Sequence, residues 1–305
     1  MQSIQSLFTN LIFYLTPGDK PGQPHDYISE RKRNAERRVP KLPKGVVLEE
    51  IRLNCMSSEK LTKQGNCKGL IFYIHGGGFT TGSARERRFA TQYIVDHYGY
   101  DCISINYRLA PENKWPVQIE DCFEAYVNIL KEYDAKDIVF MGESAGGTLV
   151  LSLALLSKER GLPLSKAIVA FSPATDNCEK LPSHTRNIKT DYMLKDMVAK
   201  GITDVLFDHH AEEEELKDPL LSPYYGDYKG LPPIFLSASD SETLYDDTMI
   251  LYEKLKKEDH EVMLDVKHGV CHAYQIMTYM PEAKETLDKV FAYLENIDKQ
   301  EERKQ

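Results

Sequence analysis

Residues 138–160 read IVFMGESAGGTLVLSLALLSKER, an apolar run, a glycine-rich turn and a second apolar run. Ile138 to Met141 predicts a buried strand, and Thr148 to Arg160 predicts a helix. Between them, the residues GESAGG at 142–147 match the Gly-x-Ser-x-Gly nucleophile elbow, whose tight strand-to-helix turn exposes a serine. The glycines on either side remove side chains that would clash with this turn. The stretch therefore predicts a nucleophilic Ser144 on an α/β sheet.

The rest of the chain alternates short apolar runs with helical patterns, which is typical of a mainly parallel sheet covered by helices on both faces. The other predicted strands are Val46 to Asn54, Gly69 to Ile74, Asp101 to Asn106, Ala167 to Phe171, Ile234 to Ala238 and Glu261 to Val266. The other predicted helices are Glu86 to Tyr98, Pro116 to Tyr133, Leu244 to Lys257 and Pro281 to Ile297.

Two segments interrupt this alternation. Residues 1–45 precede the first strand and contain a loop from Thr16 to Pro24 with three prolines and two glycines. Residues 181–226 hold helical patterns that a bare α/β unit does not need. We therefore expect a core of residues 46–180 and 227–305, with a cap built from residues 1–45 and the insertion 181–226. At the start, apolar residues recur at helical spacing and predict an amphipathic helix: Ile4, Leu7, Phe8, Leu11, Ile12 and Leu15.

A second glycine-rich turn, HGGGF at residues 75–79, directly follows the predicted strand LIFYI. Consecutive glycines let the backbone approach a ligand closely and point amide groups at it. Such a loop donates hydrogen bonds to an oxyanion together with the amide that follows the nucleophile, here that of Ala145. The Lys and Ser/Thr that a phosphate-binding loop requires are absent from this motif.

A serine nucleophile needs a general base, and the base needs an acid that orients it. In this fold class the chain order is Ser, then Asp or Glu, then His. Asp240 and Glu242 follow the strand IFLSA, and His268 and His272 follow the next strand, EVMLDV. Order and location fit, but spacing alone leaves two candidates for each role.

Together, these motifs resemble those of the hormone-sensitive-lipase-like esterases, the bacterial family IV lipolytic enzymes of the α/β-hydrolase superfamily. The resemblance extends from about residue 45 to 295. The further motifs that carry it are NYRLAPE at 106–112, Ser172-Pro173, Asp218-Pro219-Leu220 through Pro223, Leu231-Pro232-Pro233 and His272-Ala273 before an aromatic residue.

The resemblance implies a role for each candidate. The family's acid lies two residues before Leu-x-Asp, here Leu244 to Asp246, which favours Glu242 over Asp240. His272 matches the catalytic histidine, and His268 is expected to be a surface residue. Gly77 and Gly78 are the implied oxyanion donors, with Ala145, and Gly76 shapes the turn.

The implied activity is hydrolysis of small or short-chain carboxylic esters through an acyl-enzyme, without a cofactor or metal. One alternative is an amide, peptide or arylformamide hydrolase. Another is a non-catalytic ligand receptor, since some relatives of this family bind hormones after losing the histidine. The retention of both Ser144 and His272 argues against a receptor.

The composition of the chain limits the kinds of partner that it is expected to bind. The net charge of −9 argues against nucleic-acid binding, and the basic run from Arg31 to Arg38 is interpreted as a solvated helix face. His209-His210 beside Glu212 to Glu215 is interpreted as part of a solvated cap helix rather than a metal site. We expect no membrane-spanning segment.

Six cysteines stand at positions 55, 67, 102, 122, 178 and 271, without Cys-x-x-Cys spacing. Cys102 and Cys122 fall in apolar stretches and are expected in the core. Free thiols favour a reducing compartment, so we expect a cytoplasmic protein. Relatives often pair through the edge of the last strand, which makes a homodimer possible.

Overall fold

The computed structural model describes residues 2–16, 25–54, 56–178, 180–194 and 203–303. Its strands are β1 Val46–Leu53, β2 Met56–Lys63, β3 Leu70–Ile74, β4 Asp101–Ile105, β5 Ile138–Glu143, β6 Ala167–Phe171, β7 Ile234–Ser239 and β8 Val262–Lys267. Its helices are α1 Ile4–Leu15, α2 Tyr27–Glu36, α3 Ala84–Tyr98, α4 Val117–Ile129, α5 Ala145–Glu159, α6 Ser183–Arg186, α7 Thr203–Leu206, α8 Glu213–Leu216, α9 Tyr245–Lys257 and α10 Pro281–Glu302.

The eight strands form one sheet in the order β1-β2-β4-β3-β5-β6-β7-β8. Strand β2 runs antiparallel to β1 and β4, and the pairs from β4 through to β8 are parallel. The predicted α/β architecture with a mostly parallel sheet is confirmed. Strand β2 was not predicted, because its sequence MSSEKLTK is mainly polar. Its buried Glu59 is paired with Arg88 of α3, which makes this polar strand compatible with the sheet.

Side chains alternate between two cores along the central strands, as the pleat requires. In β3, Phe72 belongs to the core formed with α4, α5 and α9, whereas Tyr73 belongs to the core on the opposite face, formed with α3 and α10. Cys102 and Cys122 are fully buried, as predicted. The carboxyl ends of the parallel strands share one edge of the sheet. The loops after β3, β5, β7 and β8 therefore converge there, where open α/β sheets bind their ligands.

The segments outside the core differ from the sequence interpretation in two respects. Helix α1 is present, but most of its apolar residues face solvent while Ser6 and Thr9 are buried, and Phe13 is partly buried against a small core cluster. The interpretation of the basic run as a solvated face is wrong for Arg31. Its half-buried guanidinium donates to the carbonyl oxygens of Thr80 and Ala110 and pairs with Glu112. These three acceptors lie in the loops after β3 and β4, which turn toward α2.

The insertion, residues 181–226, contributes α6, α7 and α8 to the described structure. Within it, His209 bonds to Glu215 of α8. The rings of Tyr14 in α1 and Tyr192 in the insertion meet edge-on, with centroids 5.3 Å apart. Most of the loop predicted between Thr16 and Pro24, and residues 195–202 of the predicted cap, lie outside the described residues. The division into a core and a two-part cap stays a prediction. No helix in the described ranges is long and apolar enough to cross a bilayer.

Candidate active site

The turn between β5 and α5 holds Ser144 in a strained backbone conformation, with φ 55° and ψ −126°. This region is costly for any residue with a side chain. The flanking glycines make the turn possible, because a Cβ at Gly142 would overlap Gly146 and one at Gly146 would overlap the carbonyl of Ile74. The Ser144 amide donates to the Phe171 carbonyl of β6 at 2.8 Å, which fixes the turn against the neighbouring strand. The steric reason for the motif is thus present in the structure.

The glycine-rich loop after β3 lies directly against this turn. A Cβ at Gly76 would stand 2.9 Å from the Cβ of Ser144. Gly77 and Gly78 have φ angles of 113° and 58°, which glycine adopts without penalty. The amides of Thr80 and Thr81 close the loop by donating to the Gly77 carbonyl. The amides of Gly77 and Gly78 donate to no acceptor within the described residues, and the Ala145 amide belongs to the unpaired first turn of α5.

Glu143, which the elbow motif leaves unspecified, connects the two turns. Its buried carboxylate accepts hydrogen bonds from the Gly76 amide at 2.7 Å and from the Tyr73 hydroxyl at 2.6 Å. It also pairs with Arg87 of α3, whose pKa is raised: burial opposes the shift, and the charge of Glu143 outweighs it. Sequence reasoning missed this residue, although a charged residue between a buried strand and a buried helix is itself a signal.

The NYRLAPE motif supports the same loop from its other side. The Tyr107 hydroxyl donates to the His75 carbonyl at 2.9 Å, and the two rings stack. Burial lowers the pKa of His75 to about 4, so this imidazole is neutral near neutral pH. The Ala110 amide donates to the carbonyl of Phe79 at 2.9 Å. His75 is therefore a structural part of the loop rather than a charged group.

The loops after β7 and β8 bring Glu242 and His272 together in the interior. Glu242 Oε2 lies 2.6 Å from His272 Nδ1, and both side chains are almost completely buried. Glu242 Oε1 accepts from the Ser239 amide at 3.0 Å, which orients the carboxylate. The Ser239 hydroxyl in turn donates to the Val270 carbonyl, so the two loops are joined next to the pair.

Burial and charge act in opposite directions on this pair. Burial alone would lower the pKa of His272, but the charge and hydrogen bond of Glu242 outweigh it, and the pKa is raised. Asp191 and Glu143 add smaller contributions in the same direction. Burial also raises the pKa of Glu242, although His272 opposes that shift.

Asp240 and His268 form a separate pair. Asp240 Oδ2 lies 2.6 Å from His268 Nδ1, and Asp240 Oδ1 accepts from the Gly269 amide. The side chain of His268 is 86% exposed, as expected for a surface residue. Asp240 thus faces a different histidine, and the geometry favours Glu242 as the acid beside His272.

Ser172 connects the turn of Ser144 with the loop that carries His272. The Ala273 amide donates to Ser172 Oγ at 3.3 Å, and Ser172 follows Phe171, which accepts from the Ser144 amide. His272 Nε2 is buried and has no hydrogen-bond partner in the described part of the chain. No Ser144–His272 hydrogen bond is therefore formed in this structure. In unliganded enzymes such bonds are often long and tighten when substrate binds.

The insertion 181–226 is hydrogen-bonded to the loop that carries Glu242. The side-chain amide of Asn187 donates to the carbonyls of Asp240 and Glu242 at 2.9 and 2.8 Å. Buried Asp191 accepts from both the amide and the hydroxyl of Thr243, at 2.7 and 2.9 Å. Sequence reasoning missed both residues, because nothing in the insertion marks them as neighbours of the acid loop.

A serine on a strained elbow, a glycine-rich loop and a buried carboxylate–imidazole pair, gathered at the carboxyl edge of this sheet, define a hydrolase of the α/β class. The family model described as alpha/beta hydrolase fold matches residues 71–276, and the chain belongs to this family. The resemblance inferred from the motifs is confirmed.

Individual relatives of the chain are named as hydrolases of the same kind. An esterase of Acinetobacter venetianus is 30% identical over 256 residues, which cover 83% of each chain. An acetyl-hydrolase of Streptomyces hygroscopicus is 26% identical over 226 residues, covering 73% of this chain and 74% of the relative. The crystal structure of an esterase from the bacterial hormone-sensitive lipase family superposes with a TM-score of 0.84 at 27% identity, covering 96% of this chain and 98% of the other.

Proposed function

We propose that this chain is a serine carboxylesterase in which Ser144, His272 and Glu242 form the catalytic triad. The observation that carries the proposal is the buried His272, whose Nδ1 is held by Glu242 while its Nε2 has no partner in the described structure. This is the state expected of a general base that awaits a serine hydroxyl. The names of the relatives, esterase and acetyl-hydrolase, support ester hydrolysis.

The mechanism follows from these positions. His272 Nε2 takes the proton of the Ser144 hydroxyl as Oγ attacks the acyl carbon, and Glu242 stabilises the resulting imidazolium. The oxyanion accepts hydrogen bonds from the amides of Gly77, Gly78 and Ala145. His272 then protonates the leaving alkoxide, and the acyl group remains on Ser144. Water then attacks the acyl-enzyme as His272 takes its proton, and a second tetrahedral intermediate forms. When this intermediate collapses, the bond between the acyl carbon and Ser144 Oγ breaks, His272 returns the proton to Oγ, and the carboxylic acid leaves.

The electrostatics fit this cycle. Each oxyanion donor of this kind contributes roughly 10²–10³-fold in rate. The raised pKa of His272 makes the imidazole a stronger base, and the buried Glu242 offsets the cost of charging it in the interior. Activity requires neutral His272, so kcat/KM should rise with pH around a midpoint above 6.5.

Replacement of the nucleophile tests the proposal. In Ser144→Ala, kcat for p-nitrophenyl acetate should fall by about 10⁶-fold, the scale known for serine-protease triads. Ser157→Ala is the matched control, because Ser157 lies on the same helix and its buried hydroxyl has no partner within the described structure. Ser144→Ala protein that retains substantial turnover, with Ser157→Ala unchanged, would refute the assignment.

A series of ester substrates tests which acyl groups the proposed esterase accepts. We propose small or short-chain acyl esters, as the acetyl-hydrolase relative suggests. Turnover of p-nitrophenyl esters from acetate upward should therefore be greatest at the short end. The alternative, an amide, peptide or arylformamide hydrolase, predicts faster turnover of a matched amide or formamide than of the ester. A receptor without activity predicts no labelling of Ser144 by an organophosphonate.

A cytoplasmic location and pairing into a homodimer stay predictions. Light scattering of the purified chain tests the second.

A further inference from the structure

Helix α1 turns its apolar side outward. Ser6 and Thr9 are 0% and 4% exposed, and no charged residue occurs between Gln2 and Thr16. The exposed large side chains, between 49% and 83% accessible, are Ile4, Leu7, Phe8, Leu11, Ile12, Tyr14 and Leu15. These seven form what we term the apolar face of α1. A contiguous apolar surface of this kind marks an interaction site.

This orientation is fixed by hydrogen bonds on the polar side of the helix. The side-chain amides of Gln2 and Asn10 both donate to the carbonyl of Gly269. The amide and hydroxyl of Ser3 bond to Glu282 at 2.6 and 2.8 Å, and Thr9 bonds to the hydroxyl of Tyr279 at 2.9 Å. The helix is thus held on the loop that carries His272, with its apolar face directed outward except at Tyr14, whose ring also meets that of Tyr192.

Charge is distributed unevenly along the chain. Residues 1–45 contain eight Lys or Arg and four Asp or Glu, so they carry +4, and the remainder of the −9 chain carries −13. Residues 31–44, the basic segment, hold seven of these cations and a single acidic residue, Glu36. All of the seven except Arg31 are exposed. A negatively charged surface would therefore attract this part of the molecule and repel the rest.

The basic segment contacts helix α3, and α1 is connected to the same helix through Tyr279. Arg85 of α3 donates to the carbonyl of Arg37 at 3.1 Å. One turn further along α3, the ring of Phe89 packs edge-on against Tyr279, the residue that bonds to Thr9 of α1. Apolar and cationic surfaces therefore lie on elements that are both connected to α3, and segments that bind membrane surfaces combine these two kinds of surface.

We propose that the apolar face of α1 and the basic segment dock the protein on the surface of an anionic lipid bilayer. At 12 residues, α1 is about 18 Å long and is too short to span a hydrocarbon core of roughly 30 Å, so it lies in the interface. A symmetric contact between two copies fits less well, because it would bring two basic segments together. Docking places the loop of His272 within about one helix diameter, roughly 10 Å, of the lipid.

The test is co-sedimentation of the full chain with vesicles of phosphatidylcholine, with or without phosphatidylglycerol. We expect binding to the anionic vesicles that weakens as salt is added. Phe8→Ser/Leu11→Ser should lower the partition coefficient at least about tenfold, because it removes two large apolar side chains from the face. Lys32→Glu/Arg38→Glu should lower it by a similar factor on anionic vesicles only.

Val47→Ser, at a residue of β1 that is 59% exposed, is the control for loss of an exposed apolar side chain outside α1. Turnover of p-nitrophenyl acetate should be equal in all variants, since none of these residues belongs to the proposed active site. The proposal is overturned if the unaltered chain does not bind anionic vesicles. It is equally overturned if the Phe8→Ser/Leu11→Ser variant binds anionic vesicles as well as the unaltered chain does. It is also overturned if the chain is a dimer that this double variant dissociates, without vesicle binding. Vesicle binding needs no catalysis, so its result is independent of the proposed esterase activity.

Discussion

Two carboxylate–histidine pairs join the same two loops at the carboxyl edge of the sheet, and they have the same length. Asp240–His268 and Glu242–His272 each place a carboxylate oxygen 2.6 Å from Nδ1. Their surroundings differ: the side chains of the first pair are 34% and 86% exposed, and those of the second are 0% and 3% exposed. The hydrogen-bond distance therefore does not distinguish the proposed catalytic pair from the surface pair, whereas burial does.

The carboxyl groups respond differently to these surroundings. Burial works to raise the pKa of both, but in Asp240 the hydrogen bonds from His268 and Gly269 prevail and the pKa is lowered. In Glu242 complete burial prevails and the pKa is raised. Exposed ion pairs are screened by water and contribute little, whereas removal of one partner from a buried pair leaves an uncompensated polar group.

The largest expected difference is between the two histidines. His272→Ala should reduce kcat by about 10⁶-fold, because it removes the general base. His268→Ala should leave kcat within about twofold, since an exposed pair contributes little. Steady-state kinetics on p-nitrophenyl acetate measures both. A large loss in His268→Ala, with turnover retained in His272→Ala, would exchange the roles assigned to the two pairs.

The next effect concerns the acids. Glu242→Gln should lower kcat by roughly 10⁴-fold, the loss found when a triad carboxylate becomes an amide and the imidazole takes the wrong tautomer. Asp240→Asn should be close to neutral in kcat. Thermal unfolding of both variants serves as the control for folding. Should Asp240→Asn prove the more damaging to kcat in folded protein, the acid is Asp240.

The smallest expected effect comes from a variant that changes the charge around the buried Glu242–His272 pair. Asp191 contacts neither member of the pair directly, but its negative charge contributes to the raised pKa of His272. The other carboxyl groups acting on that imidazole are Glu242 and Glu143. Removing the charge in Asp191→Asn should lower the pKa of His272, so the midpoint of kcat/KM against pH should move to lower pH. At high pH the rate should fall less than about tenfold.

Thr190→Val separates charge from packing. Thr190 bonds to the carbonyl of Ser241 from the same cap insertion, so its loss loosens the contact without altering charge. The midpoint should stay in place in this variant. If the midpoint moves equally in Asp191→Asn and Thr190→Val, Asp191 acts through cap packing and not through its charge.

The sequence predicted those features that depend on local patterns. Strand–helix alternation, the elbow around Ser144 and the glycine-rich loop each have a period or a backbone requirement that appears directly in the residue order. Strand β2 has no such pattern, because its polar side chains are satisfied by a distant partner, Arg88.

The direction of individual side chains was harder to predict from the sequence. Asp240 and Glu242 stand two residues apart in a loop, and only the folded loop turns one toward His268 and the other toward His272. The roles of Glu143 and Asp191 could not be predicted, because their partners lie in segments that are remote in sequence. For α1, helical periodicity identified the apolar face but not whether that face turns inward.

The left-handed backbone of Ser144 has an evolutionary consequence. Conformations of this kind cost about 1–3 kcal/mol in residues that carry a side chain, and glycine relieves most of that cost. On the proposed mechanism, replacing this serine by glycine would abolish activity while making the protein more stable. Selection on folding and selection on catalysis thus oppose each other at this position. A gene copy released from the need for turnover would gain stability by losing the residue.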